Sequence, residues 1–108
     1  MPVSIRRNPL KQCDLSYLPL DGAVAWNPLA RYLKERPSFT LDPLFHAGAY
    51  YVQDASAMFV GWLLRQVLAG HPGVKVLDLC AAPGGKTTDA ASSLRELYGD
   101  AFVLVSNE

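Results

Sequence analysis

The chain lacks the features that mark a secreted, membrane-bound or metal-dependent protein. Cysteine is scarce: Cys13 and Cys80 stand 67 positions apart and form no metal-ligand spacing, so neither a disulfide framework nor a metal site is expected. Long apolar runs are absent as well. The longest, Met58 to Leu64, falls far short of the roughly 20 residues that span a bilayer, so no membrane partner is expected. Arg6 and Arg7 lead into Asn-Pro-Leu-Lys rather than an apolar segment, which argues against a secretory signal. These absences predict a reducing, cytoplasmic setting. Charge of one sign is not in excess, because ten basic and ten acidic residues cancel.

What is present is material for packing. Half of the residues are apolar and 19% are charged, a globular composition rather than that of a disordered tail. A length of 108 residues allows one small domain or pieces of two. The charge balance hides a split. Residues 1–37 carry +3, with Arg6, Arg7, Lys11, Arg31, Lys34 and Arg36 against Asp14, Asp21 and Glu35, and the remainder carries −3. A basic front suits a polyanion partner, and it suits an ordinary solvated surface equally well.

Pro2, Pro9, Pro19, Pro28, Pro37 and Pro43 punctuate the first 45 residues, which predicts short strands and turns there. Val3-Ser4-Ile5-Arg6 alternates as a half-buried strand does, and Leu29 to Arg36 reads as one or two helical turns stopped by Pro37. From Asp54 to Leu68 the period becomes helical: Ala55, Met58, Phe59, Trp62, Leu63 and Gln66 share a face, Asp54 is the N-cap, and Gly70 with Pro72 closes the helix. Lys75 to Leu79 reads as a buried strand. Thr87, Ala90, Ala91, Leu94 and Leu97 form the inner face of a second helix that Gly99 ends, and Ala101 to Val105 is another buried strand. This order predicts a βαβ unit with parallel strands. Parallel sheets usually have several strands covered on both faces. Two strands therefore read as the opening of an α/β domain, with a bare edge that invites self-association.

Between the strand and the second helix lies Cys80-Ala81-Ala82-Pro83-Gly84-Gly85-Lys86. Small residues let backbone approach a ligand closely, proline stiffens the turn, and the helix start turns its N–H groups and partial positive charge to the same place. Glu108 stands 23 residues beyond Gly85 at the end of the second strand, where a nucleotide site of this type places a carboxylate on ribose hydroxyls. Two nucleotide readings compete. Gly85-Lys86-Thr87 matches the end of the phosphate-binding loop G-x-x-x-x-G-K-[ST], but the first glycine of that pattern falls on Cys80. A degenerate P-loop in a non-catalytic nucleotide-binding module is thus one reading, and a phosphate-free nucleoside cofactor is the other.

The sequence Val76-Leu-Asp-Leu-Cys-Ala-Ala-Pro-Gly-Gly-Lys-Thr-Thr88 resembles the cofactor loop of the Sun-type (Fmu-type) RNA cytosine-5 methyltransferases. The upstream Gly48-Ala-Tyr-Tyr-Val-Gln-Asp-Ala-Ser-Ala-Met58, the early Ser4-Ile-Arg-Arg-Asn-Pro-Leu-Lys11 and the final Ser106-Asn107-Glu108 resemble further segments of that family in the same order. Asp54 stands where the family usually has glutamate, and Ala57 where serine is common. The resemblance implies the opening part of a Rossmann-like methyltransferase domain at residues 46–108, preceded by a partial α+β, RNA-binding region at 1–45. It implies S-adenosyl-L-methionine as cofactor, held by Cys80, Ala81, Ala82, Pro83, Gly84, Gly85, Lys86 and Glu108. Ribosomal or transfer RNA is the implied partner.

The implied chemistry is methyl transfer to the 5-carbon of cytosine after a cysteine thiolate adds to the ring. The family's two catalytic cysteines lie on later segments, so Cys13 and Cys80 take no catalytic role and the chain alone is expected to be inactive. Asp78 is expected to orient the loop, and Lys86 to approach the cofactor carboxylate or cap the loop. Tyr50, Tyr51 and Gln53 are expected to pack against the methyltransferase sheet, with RNA or cofactor contact as the lesser alternative. Arg6, Arg7 and Lys11 are candidates for phosphate contact or plain surface residues.

Overall fold

The computed structural model of the chain describes residues 2–71, 73–82, 84–99 and 101–107. It is a mixed α/β structure of two compact units, Met1–Ser56 and Ala57–Glu108. In the first unit, strands β1 (Val3–Arg7), β2 (Leu20–Ala23), β3 (Ala30–Leu33) and β4 (Tyr50–Val52) form an antiparallel sheet in the order β2-β3-β1-β4. Because β1 is an inner strand, with Ile5 opposite both Arg31 and Val52, its polar residues Ser4 and Arg6 are buried along with Ile5. The core gathers Ile5, Leu15, Leu18, Leu33, Phe39, Ala49 and Tyr50.

The turns between the prolines are held by side-chain oxygens. Buried Asn27 accepts from the Leu29 N–H at 3.0 Å and sets the turn into β3. Asp42 caps α1 (Pro43–His46) by accepting from the Leu44 N–H at 2.9 Å, with Pro43 in the first turn, where a missing N–H costs nothing. The other oxygen of Asp42 accepts the hydroxyls of Tyr17 and Tyr50, each at 2.6 Å. Phe39 and Phe45 pack their rings against Tyr50 at 6.1 and 5.8 Å. The indole N–H of Trp26 donates to the Ala55 carbonyl at 2.7 Å.

Two expectations are corrected here. Residues 29–36 are not helical: Ala30–Leu33 is β3, paired with β1 and β2. An isolated helix of two turns between prolines pays its nucleation cost for few bonds, and pairing on two sides outweighs it. Tyr50 and Tyr51 belong to the N-terminal sheet, as part of β4 beside β1, where the expectation had assigned them to the methyltransferase sheet.

The second half follows the predicted order more closely. Helix α2 spans Ala55–Leu68, strand β5 Lys75–Asp78, helix α3 Gly85–Tyr98 and strand β6 Val103–Ser106. Strands β5 and β6 are parallel, with Leu77 opposite Val105 and Asp78 opposite Ser106. Val76 and Leu104 are half-buried, whereas Leu77, Leu79, Val103 and Val105 on the opposite face remain at least half exposed. Arg65 pairs with Glu96 at 2.8 Å, and the Tyr98 hydroxyl donates to the Leu68 carbonyl while accepting from the His71 N–H. Gly61 lies directly on the buried carboxylate of Asp89: a Cβ there would come within 2.5 Å of Oδ2. Glycine in mid-helix is costly by propensity, and this close approach is what requires it.

Candidate functional site

The chain leaves β5 at Asp78 and enters α3 at Gly85, and the loop between them is laced from two sides. Asp78 is half-buried. Its Oδ1 accepts from the Cys80 N–H at 3.2 Å, and its Oδ2 accepts the Thr87 hydroxyl from the first turn of α3. One carboxylate thus fixes both ends of the loop. From the β6 side, the Asn107 N–H donates to the Asp78 carbonyl at 2.7 Å and the Ala81 N–H donates to the Asn107 carbonyl at 2.8 Å. These bonds continue the parallel ladder past the end of the strands, so the small-residue loop and the end of β6 lie side by side.

Gly84 turns the chain into α3 at φ +110°, a left-handed conformation that disfavours any side chain, and among the described residues beyond its chain neighbours no atom lies within 4 Å of where its Cβ would be. No side chain caps this helix through the Gly84 position. The Thr88 hydroxyl instead closes back on the Gly84 carbonyl at 2.8 Å. A helix start whose N-cap is glycine, reached by a loop with space at that glycine, is suited to a ligand that packs flat on backbone.

Of the sequence-predicted residues, Cys80, Ala81, Ala82, Gly84, Gly85 and Lys86 are brought together in this one bend, with Cys80, Ala82 and Lys86 exposed. Pro83 and Glu108 lie outside the described residues; Asn107, the neighbour of Glu108, is bonded to the loop. The bracing part of Thr87 goes beyond the inner-face packing that its helical spacing predicts. Its signal is a hydroxyl in the first helical turn following a strand that ends in aspartate. The basic front is largely engaged within the fold. Arg6 is buried with its guanidinium 5.5 Å from the Tyr51 ring centroid, Arg7 donates to the Cys13 carbonyl at 3.1 Å, and the Lys11 ammonium donates to the Ala47 carbonyl. No helix among the described residues is long and apolar enough to cross a membrane.

Residues 1–55 match the family described as the N-terminal domain of 16S rRNA methyltransferase RsmF. Over 93 residues the chain is 38% identical to the ribosomal RNA small subunit methyltransferase B of Pasteurella multocida, an overlap of 81% of this chain and 20% of that protein. It is 31% identical over 116 residues to the 28S rRNA (cytosine-C(5))-methyltransferase of Mus musculus, covering 99% of this chain and 14% of that one. A solved methyltransferase homolog from Pyrococcus horikoshii matches with a TM-score of 0.65 at 26% identity, across 98% of this chain and 43% of that chain. The chain thus spans a fifth or less of the length of these two curated relatives. The degenerate P-loop reading finds no support in them. With half of its length matching the RsmF domain and both of these curated relatives being rRNA methyltransferases, the chain belongs to the Sun-type (Fmu-type) RNA cytosine-5 methyltransferase family.

Proposed function

We propose that this chain is the S-adenosylmethionine-binding portion of an RNA cytosine-5 methyltransferase, with its second half opening a Rossmann-like domain. The observation that carries the reading is the laced bend between β5 and α3, where Asp78 and Asn107 hold a loop of small residues against the start of a helix. The empty space at Gly84 fits a nucleoside lying on backbone. Residues Cys80 to Lys86 would hold the cofactor, and Glu108, following the bonded Asn107, would accept hydrogen bonds from its ribose hydroxyls. When bound, the cofactor supplies an electrophilic methyl group. The contribution of this chain is to bind and orient it. The names of the Pasteurella and Mus relatives favour ribosomal RNA as the substrate.

Neither cysteine is given a part in the chemistry. Cys13 packs at the edge of the N-terminal core, and Cys80 belongs to the cofactor bend. The chain by itself is therefore expected to bind cofactor without turning it over. Calorimetry tests this directly: S-adenosylmethionine should bind, ATP should not, and Gly84→Val should abolish binding while leaving the thermal midpoint of the first unit unchanged. Binding of ATP in place of S-adenosylmethionine would overturn the cofactor assignment. Methylation of cytosine in RNA by the purified chain would overturn its predicted inactivity.

A further inference from the structure

We propose that the first unit holds a pocket for one unpaired RNA nucleotide, whose base is read through an exocyclic amine by Gln53 and Asp54 and whose phosphate meets Arg36. The proposal rests on the RNA reading above and is independent of the cofactor bend. A cavity of about 290 Å³ opens between Val3 and Ser4 of β1, the end of β4 at Val52, the following Gln53 and Asp54, and Arg36. The backbone of Gln53 is pinned there: its N–H donates to the Ser4 carbonyl at 3.2 Å, and its own carbonyl accepts the Ser4 hydroxyl. The side chain therefore starts from a fixed point, yet its Oε1 is buried with no hydrogen-bond partner. Native proteins rarely leave such an oxygen unpaired, and a ligand donor is one way to satisfy it.

The lining specifies the donor. Oε1 is the unpartnered atom of the Gln53 amide and the adjacent Asp54 carboxylate only accepts, so a ligand that satisfies both presents N–H groups. Arg36 supplies a cation at the same cavity, with its guanidinium 5.3 Å from the Phe39 ring centroid, and calls for an anion. Amine at one end and anion at the other describe a nucleotide of cytosine, adenine or guanine and leave out uridine. Uracil presents a carbonyl where cytosine has its amine, and would set oxygen against oxygen. Reading that edge requires an unpaired base, the usual target of sequence-selective RNA binding.

The test is fluorescence anisotropy with the whole chain and labelled penta-cytidine or penta-uridine, which are alike in size and charge. The cytidine oligomer should bind about tenfold more tightly, the equivalent of one hydrogen bond made rather than an acceptor left bare. Gln53→Met, which keeps the volume and removes the acceptor, should erase that preference without lowering the thermal midpoint. Asp54→Asn should reduce the preference, and Arg36→Gln should weaken both oligomers alike. Equal binding of the two oligomers, a preference for uridine, or a cytidine preference that survives in folded Gln53→Met would each overturn the pocket while leaving RNA binding in place. If neither oligomer binds, the pocket and the RNA reading fall together, and cofactor calorimetry still decides the loop.

Discussion

If Asp78 fixes the cofactor bend, removing its bond to Thr87 should weaken cofactor binding without unfolding the chain. Thr87→Val deletes the hydroxyl at nearly constant volume and leaves the Cys80 N–H bond to Asp78 in place. A hydrogen bond to a charged acceptor contributes about 1.5–3 kcal/mol, and the half-buried carboxylate argues for the lower end. A loss of about 1.5 kcal/mol corresponds to roughly tenfold in affinity if the bend must be ordered to bind. Asp78→Ala removes both bonds, so its ceiling is about 3 kcal/mol, or roughly a hundredfold. Thr87→Ser restores the donor and should recover most of the wild-type affinity. Calorimetric titration of S-adenosylmethionine into each variant, beside a urea melt, reads the effect. Wild-type affinity in Thr87→Val, or an equal loss in Thr87→Ser, would refute the bracing role.

Asp42→Ala should destabilise the first unit by about 2 kcal/mol in urea denaturation, roughly one for the lost α1 cap and one for the bond to Tyr50, the exposed Tyr17 adding little. The same cluster sets a pH dependence. Partial desolvation of the hydroxyl, together with the hydrogen bond to Asp42 and its charge, pushes Tyr17 up to about 12, and the same causes raise the buried Tyr50. Groups whose folded value is raised stabilise the fold below their unfolded value and lose that contribution as pH climbs through the folded one. Stability should therefore fall from about pH 10 upward, and tyrosinate absorbance should rise later than in Asp42→Ala. Desolvation opposes the charge of Asp42, but bonds from Tyr17, Tyr50 and the Leu44 and Phe45 amides outweigh it and lower its pKa, so stability also drops as pH falls below about 4. Gly61→Ala should cost about 1 kcal/mol, because the clash with Asp89 exceeds the propensity gain; a raised melting temperature would contradict this. The exposed Leu77, Leu79, Val103 and Val105 should drive concentration-dependent self-association, which Leu77→Lys with Val105→Lys reduces in analytical ultracentrifugation.

The parts of the fold legible in the sequence are those whose signals are local. The α3 boundaries follow from Gly84-Gly85 and Gly99, and α2 is written in one helical period from Ala55 to Leu68. The bend that carries the candidate site was visible for the same reason: small residues, a stiff turn and a helix start are consecutive. What was not legible depends on partners far along the chain. Residues 30–33 became a strand because β1 and β2 lie on either side of them. Tyr50 and Tyr51 joined the N-terminal sheet because Arg7 and Arg6 lie opposite them. The same logic explains why one cation of the basic front, Arg6, is withdrawn from the surface while Arg7, Lys11, Arg31, Lys34 and Arg36 stay exposed. Arg6 lies on an inner strand, so the alternation that predicted the strand also committed every second side chain to a face, where the ring of Tyr51, its neighbour across β4, lies over the guanidinium. A cation count is a property of composition, whereas access to a phosphate is a property of strand order. The choice of Arg36 over Arg6 as the residue for an RNA phosphate follows from topology, since Arg36 stands beyond the end of β3 and lines a cavity while Arg6 is enclosed.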